Sequence, residues 1–240
     1  MEMLDVILKE FKKLRGADAR KHLDLFINHL GSIKPDERGK GPDFKRVPKD
    51  GAAGELRFRN KLMWLRTIPL DQNETFIALH AEVGGYYEGK NGRYSADILG
   101  IWRSEKTTRF AVAELKAGKG GDPVFYALAE GLRNVYLLWQ EQVKLSRKWM
   151  EYMQLLVNKE EFRQSVWGQG SPFNKLDKKN ISLLVIGDDS WIQKQGEGIR
   201  HVPEEIVLGN IHVKVSIFSL KAGGKSKSKP YALLPLRRHP

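Results

Sequence analysis

Residues Arg93 to Lys116 read RYSADILGIWRSEKTTRFAVAELK, and the reading of this stretch decides the fold. Two runs rich in branched and aromatic residues, Tyr94 to Arg103 and Thr108 to Lys116, flank the polar break Ser104-Glu105-Lys106-Thr107. Their length and composition predict the two strands of a hairpin. A tight loop centred between Glu105 and Lys106 pairs residues whose numbers sum to 211. Asp97 is then expected directly across from Glu114. Directly opposed side chains share one face, with Cβ atoms about 4.5–5.5 Å apart. Lys116, two residues beyond Glu114, points to the same face. Leu99, Ile101, Phe110 and Val112 complete that face; Ile98, Gly100, Trp102, Ala111, Ala113 and Leu115 line the other. With both faces apolar, the hairpin is expected at the centre of a sheet covered on both sides.

Two carboxylates and a lysine at one end of such a hairpin are costly. Like charges at this distance repel, and a cation or a shared proton is the usual relief. Two carboxylate oxygens with the Leu115 carbonyl make an oxygen-only donor set suited to Mg²⁺ or Mn²⁺. The plainer alternative is an Asp97/Glu114 pair relieved by Lys116 at a solvated sheet edge.

An Asp, a gap of sixteen residues and then Glu-x-Lys across a hairpin resembles the PD-(D/E)xK nuclease superfamily, which has the restriction-endonuclease-like fold. The resemblance implies that Asp97 and Glu114 hold metal and that Lys116 positions or activates the attacking water. The Pro usual before the family's Asp is Ala96 here. A Gln found in many members after the lysine strand has Val124, Phe125 and Tyr126 near its place. The resemblance covers roughly residues 51–220 as topology and only a few residues as motif. Glu10-Phe11-Lys12 is a second Glu-x-Lys, but it lies in a helical pattern and is a decoy.

Around the hairpin, the chain divides into N-terminal helices with a basic linker (1–50), a nuclease-like core (51–220) and a basic tail (221–240). Leu4, Ile7, Leu8, Phe11 and Leu14, then Leu23, Phe26, Ile27 and Leu30, follow the helical period and predict a helical hairpin ahead of the core. Residues 31–50, rich in Pro, Gly and charge, read as a loop that includes Lys45 and Arg46. Residues 51–66 look helical. Glu55 near their start matches, by position, a Glu that the resembled family often presents to its metal. Helix-dipole stabilisation and an i,i+4 pair with Arg59 worth about 0.2–0.5 kcal/mol are its alternatives.

A strand over residues 75–87 follows, with a turn at Asn91-Gly92. Pairing Glu88 with Arg93 gives a register sum of 181 and sets Gly84 opposite Asp97. Glu82 then faces the metal side as a further ligand or supporting group, and His80 is expected as a satisfied core histidine. His80-x-Glu82 lacks the paired cysteines of zinc deaminases.

After Lys116, Ala117 to Gly121 form a glycine-rich turn. Asp122 as N-cap and Pro123 as first residue announce a helix, whose start favours anions. Lys119 is a candidate phosphate contact there. Arg133 either binds a phosphate or pairs with Glu130. The helical pattern runs to about Val157, and residues 158–180 read as a long loop in which Trp167 and Phe173 are candidates for stacking on bases. Ile181 to Gly187 is an apolar strand and Ile211 to Leu220 another; residues 191–200 and 203–208 read as connectors with short helices. Gly224-Lys225-Ser226 imitates the end of a P-loop without its earlier glycine or a following helix.

The chain has 240 residues and no cysteine, which excludes disulfides and cysteine-held metals. No secretory signal and no membrane-length apolar run are legible, so a cytoplasmic protein is expected. A formal net charge of +12, with six Lys or Arg and no acid in the last twenty residues, favours a polyanionic partner.

The expected architecture is α/β, a central mixed sheet flanked by helices on both faces. The expected activity is metal-dependent hydrolysis of DNA phosphodiester bonds, by an endonuclease acting alone or as a homodimer. The rival readings are a non-catalytic basic nucleic-acid-binding protein on the same fold and an RNA-directed nuclease.

Overall fold

A computed structural model describes residues 3–33, 43–44, 54–65, 67–71, 73–86, 93–105, 107–118, 121–144, 176–221 and 232–236. In chain order the elements are α1 (Met3–Glu10), α2 (Gly16–Leu30), β1 (Asp43–Phe44), α3 (Gly54–Leu65), β2 (Thr67–Asp71), β3 (Glu74–Tyr86), β4 (Arg93–Arg103), β5 (Thr108–Lys116), α4 (Val124–Lys144), β6 (Leu176–Gly187), α5 (Asp189–Arg200), β7 (Glu205–Leu208), β8 (Ile211–Lys221) and β9 (Ala232–Pro235).

All the described strands join one sheet in the order β1-β3-β4-β5-β6-β8-β7, with β2 added on β3 and β9 on β8. Strand β4 runs antiparallel to both β3 and β5, whereas β5, β6 and β8 are parallel. The molecule is therefore α/β with a mixed open sheet. The β4–β5 register is the expected one: Ile98 pairs with Ala113 and Arg103 with Thr108, each sum being 211.

The two faces separate as the alternation predicts. Leu99, Ile101, Phe110 and Val112 join a core made with α1, α2, α4 and α5. Ile98, Trp102, Ala111, Ala113 and Leu115 join a second core with Leu62 and Met63 of α3 and Ile68 and Leu70 of β2. At roughly 25 cal/mol per Å² of apolar surface removed from water, burial on both sides is the main force holding the hairpin central.

Several expectations are corrected. The N-terminal helices pack on the core itself: Leu4, Leu8, Leu23 and Phe26 are buried in the same cluster as α4. Residues 203–208, read as a connector, contain β7, and the basic tail contributes β9. Strand β6 starts at Leu176, inside the expected long loop. Residues 191–200 are one regular helix, capped by Asp188, whose side chain accepts the Trp191 N–H. Asp122 turns to Lys12 at 3.1 Å rather than capping α4. The first helical N–H, of Val124, donates instead to Gln195 Oε1 of α5 at 3.2 Å. The predicted continuation of the helix beyond residue 144 lies outside the described residues, as do Trp167 and Phe173.

Strand β3 pairs with β4 two residues out of the expected register. Tyr86, not Glu88, pairs with Arg93, and Gly84 faces Ser95 rather than Asp97. The sum is 179 from His80↔Leu99 to Tyr86↔Arg93, and 178 from Thr75↔Arg103 to Ala78↔Gly100, because a bulge intervenes at Leu79. Gly84 is nonetheless required: a Cβ there would lie 2.0 Å from the Tyr94 carbonyl oxygen.

Candidate active site

The β4–β5 ladder ends at Ile98↔Ala113. One residue on, where continued pairing would join Asp97 to Glu114, the Asp97 carboxylate takes the place of a backbone partner. Its Oδ2 accepts the Leu115 N–H at 2.8 Å. The sheet thus loses its regular pairing where the charged residues enter it. Because β5 lies between β4 and β6, this is the middle of the sheet and not a solvated edge. Glu114 and Lys116 are 2 % and 5 % exposed.

Helix α4 covers these side chains and partners them. Asn134, wholly buried, donates through Nδ2 to Glu114 Oε1 at 2.6 Å and to the Ser95 carbonyl at 3.0 Å. It thereby bridges β4 and β5 beyond the end of their ladder. One turn earlier, Glu130 Oε2 accepts from Lys116 Nζ at 3.1 Å. Gly131 between them admits the helix to this distance: a Cβ there would stand 2.5 Å from Leu183 Cδ1 and 3.0 Å from Glu114 Cγ.

Arg133 is buried and donates to Asn134 Oδ1 from Nε at 3.4 Å and from Nη2 at 3.3 Å. Its expected pairing with Glu130 survives only at 3.9 Å. The guanidinium steadies Asn134 from inside the protein, which is a different position from a surface phosphate contact. Lys119, Lys45 and Arg46 lie outside the described residues.

From the opposite face, α3 contributes Glu55. Its Oε1 accepts the Ala117 N–H at 3.4 Å, one residue past Lys116. The expected Glu55–Arg59 pair is not what forms: Arg59 Nη1 instead reaches Glu82 Oε1 of β3. Glu82 falls level with Asp97, between the pairs Ala81↔Ile98 and Val83↔Ala96, and its φ of 51° is in the left-handed region. A non-glycine residue there costs on the order of 1–3 kcal/mol, and such strain gathers at functional sites. His80 is half-buried, with Nδ1 2.6 Å from the Ala81 carbonyl.

The loop after Lys116 is fastened to the end of β6. The Asp188 N–H donates to the Lys116 carbonyl at 3.2 Å, and Asp188 Oδ2 accepts the Gly118 N–H at 2.8 Å. Gly118 has φ +72°, a conformation that glycine adopts without strain.

The electrostatics follow from this crowding. Burial pushes the Glu114 carboxyl well above its ordinary range, and the Asp97 and Glu130 charges push it further. Burial likewise raises Asp97 and Glu55, whose carboxyl end turns into the cluster. Burial alone would lower Lys116. Glu130, Glu114, Asp97 and Glu55 together outweigh it and hold the ammonium above the usual lysine range. Glu130, Glu114, Asp97 and Glu55 thus surround Lys116, while Glu82 pairs with Arg59.

Every candidate ligand here is an oxygen, the donor type that hard divalent ions prefer. In the arrangement observed, no three His, Asp or Glu side chains among the described residues are gathered closely enough to hold one. Glu130 and Asn134 are the site residues that sequence reasoning did not nominate as such. Their signal was two polar residues four apart, hence on one face, inside an apolar helix.

Compared with protein-family models, with curated proteins and with solved structures, the chain matches none. No described helix is long and apolar enough to cross a membrane.

Proposed function

We propose that this chain is a metal-dependent nuclease that hydrolyses phosphodiester bonds of DNA, most simply as an endonuclease, on a core like that of the PD-(D/E)xK superfamily. The observation that carries the reading is the Asp97/Glu114/Lys116 trio, with Glu114 and Lys116 buried and Asp97 partly so, entering a central sheet where its ladder gives way. Apart from the added strand β2 between α3 and β3, the succession α3-β3-β4-β5-α4-β6, with β5 and β6 parallel, supports a restriction-endonuclease-like core, as does the β4–β5 register.

Asp97 and Glu114 would hold Mg²⁺ or Mn²⁺, with the Leu115 carbonyl, Glu82 and Glu55 as further oxygen donors. When bound, such an ion polarises the scissile phosphate and lowers the pKa of water. The chain's own groups do the rest. The surrounding carboxylates favour the protonated form of Lys116. It donates hydrogen bonds that orient the attacking water and offset charge growing on the phosphoryl oxygens. Asn134 fixes the rotamer of Glu114, and Glu130 sets the reach of Lys116.

Purified protein with Mg²⁺ or Mn²⁺ is expected to nick supercoiled plasmid. Asp97→Ala and Glu114→Ala are expected to abolish nicking while leaving DNA binding intact. Binding without metal-dependent cutting, alike in wild type and variants, would select a non-catalytic basic nucleic-acid-binding protein. The closed contacts Lys116–Glu130 and Glu114–Asn134 favour that second reading. Cutting confined to RNA substrates would move the assignment to an RNA-directed nuclease.

A further inference from the structure

The face of the sheet turned away from α4 holds a cavity of its own. Gly100, Ala111, Ser182 and Lys214 stand side by side on β4, β5, β6 and β8. The first three are small, and the Trp102 side chain reaches over them to residues of β8. Lys214 Nζ lies 5.3 Å from the indole centroid, and the Phe218 ring centroid lies at 6.2 Å. Beside this contact opens a cavity of about 170 Å³, whose walls include Leu70, Glu74, Trp102, Glu204, Lys214 and Leu236. Trp102 is five residues along β4 from Asp97, about 17 Å, and its side chain is on the opposite face. The cavity is therefore separate from the candidate active site.

Two features ask for a ligand. The first is a buried donor: Trp102 is 2 % exposed, and among the described residues its indole N–H has no acceptor. The hydroxyl of Ser182, wholly buried on the same face, has no partner there either. Buried polar groups are nearly always satisfied, so an unmet N–H on a residue of the cavity wall points to an acceptor brought by a ligand. The second is charge of both signs. Among the described residues no carboxylate pairs with Lys214, and no cation pairs with Glu74 or Glu204.

We propose that this cavity binds a free α-amino acid with a small aliphatic side chain. Its carboxylate accepts from the Trp102 indole N–H and from Lys214, and its ammonium donates to Glu74 and Glu204. Its alkyl group packs against Leu70, Phe218 and Leu236, which line the same space. A simple anion would face two carboxylates without answering them. A simple amine would leave the indole N–H and the Lys214 ammonium unanswered. A cavity of roughly 150 Å³ admits a benzene ring, so the volume here suits valine or leucine and excludes the bulkier aromatic amino acids.

The inference does not rest on the nuclease reading, and its test uses no nucleic acid. The full chain, labelled on its indole nitrogens, is titrated in EDTA with L-valine and L-leucine up to concentrations on the order of 10 mM. The Trp102 indole resonance, assigned by its loss in Trp102→Phe, is expected to move, and the melting temperature to rise. The amide of each amino acid lacks the carboxylate and the N-acetyl form lacks the ammonium; each is expected to bind roughly tenfold or more weakly. L-phenylalanine is expected to do the same. Lys214→Met, at the exposed rim, and the paired variant Glu74→Gln with Glu204→Gln are each expected to lose roughly tenfold in L-leucine affinity.

A Trp102 resonance that stays in place with both amino acids overturns the proposal. An N-acetyl form that binds as tightly as its parent would make this an anion site, and an amide that does so an amine site; either result overturns it. Undiminished L-leucine affinity in Lys214→Met or in the paired acid variant does so too, as does equal binding of L-phenylalanine. The Lys214 and Glu204 side chains are exposed, so these variants keep the test decisive even if Trp102→Phe does not fold.

Discussion

Replacing Glu114 by Gln separates the electrostatic account of this site from a merely structural one. Gln keeps the shape and the acceptor oxygen for Asn134 Nδ2, now 2.6 Å away, and removes the charge. Glu114 is 2 % exposed and shares its surroundings with Asp97 and Glu130. Lys116 does not lose its nearest partner in the exchange, because Glu130 stays at 3.1 Å. The substitution therefore lifts repulsion and desolvation without stranding a cation. Replacing buried charges by well-packed neutral groups is neutral or stabilising by about 1–4 kcal/mol. For a chain of this size each kcal/mol moves the melting temperature by about 2–4 °C.

Glu114→Gln without divalent ions at pH 8 is thus expected to melt several degrees above wild type. The gap should shrink as pH falls through the raised Glu114 value towards 4.5, the ordinary carboxyl value, because the folded wild-type side chain takes up its proton before the unfolded one does. With Mg²⁺ added, wild type should rise and the variant should not. Differential scanning calorimetry at several pH values, in EDTA and in Mg²⁺, reads all of this. A Glu114→Gln protein that melts below wild type in EDTA at pH 8 would show that the carboxylate stabilises the ion-free fold, and the reasoning would be refuted.

Wild type itself should show a matching pH dependence. Folded-state pKa values raised for Glu114, Asp97 and Glu55 mean that the folded chain binds more protons than the unfolded one above the ordinary carboxyl range. The contribution of these groups is therefore greatest below that range and is lost as pH rises through the raised values. Chemical denaturation in EDTA should record this decline, and saturating Mg²⁺ should flatten it. Asn134→Leu leaves the Ser95 carbonyl and Glu114 without their donor at a cost of about 1–3 kcal/mol; calorimetric titration should also show weaker Mg²⁺ binding, with Asn134→Gln, which keeps an amide donor, restoring part of it if orientation is what matters. Gly131→Ala overpacks against Leu183 and Glu114 and should cost about 1–3 kcal/mol by urea denaturation.

The hairpin was legible because its loop is short. With Ser104 to Thr107 between two apolar runs, register and facing both follow from counting. The β3–β4 register was not legible for two physical reasons. The connection between Tyr86 and Arg93 is longer than a two-residue turn, so turn chemistry alone does not fix the pairing. The extra residue at Leu79 then shifts the sum again, and a bulge of this kind leaves no mark in the apolar pattern. Strands β2 and β9 escaped notice because TIPLD and ALLP are short, contain Pro and lie on the margins of the sheet, where Pro is tolerated. The acids Asp97 and Glu114 stood out against apolar neighbours. Asn134 did not, since an uncharged amide in a helix is unremarkable until the sheet beneath it is known to have lost a rung.

The clasp made by Asp188 has a bearing on biogenesis. Every ionisable member of the trio is synthesised more than seventy residues before Asp188, the group that anchors the turn beyond Lys116. A nascent polypeptide emerging from the ribosome therefore carries the trio long before its geometry can be set. Completion waits for a distant parallel pairing between β5 and β6, which is a slow class of folding event.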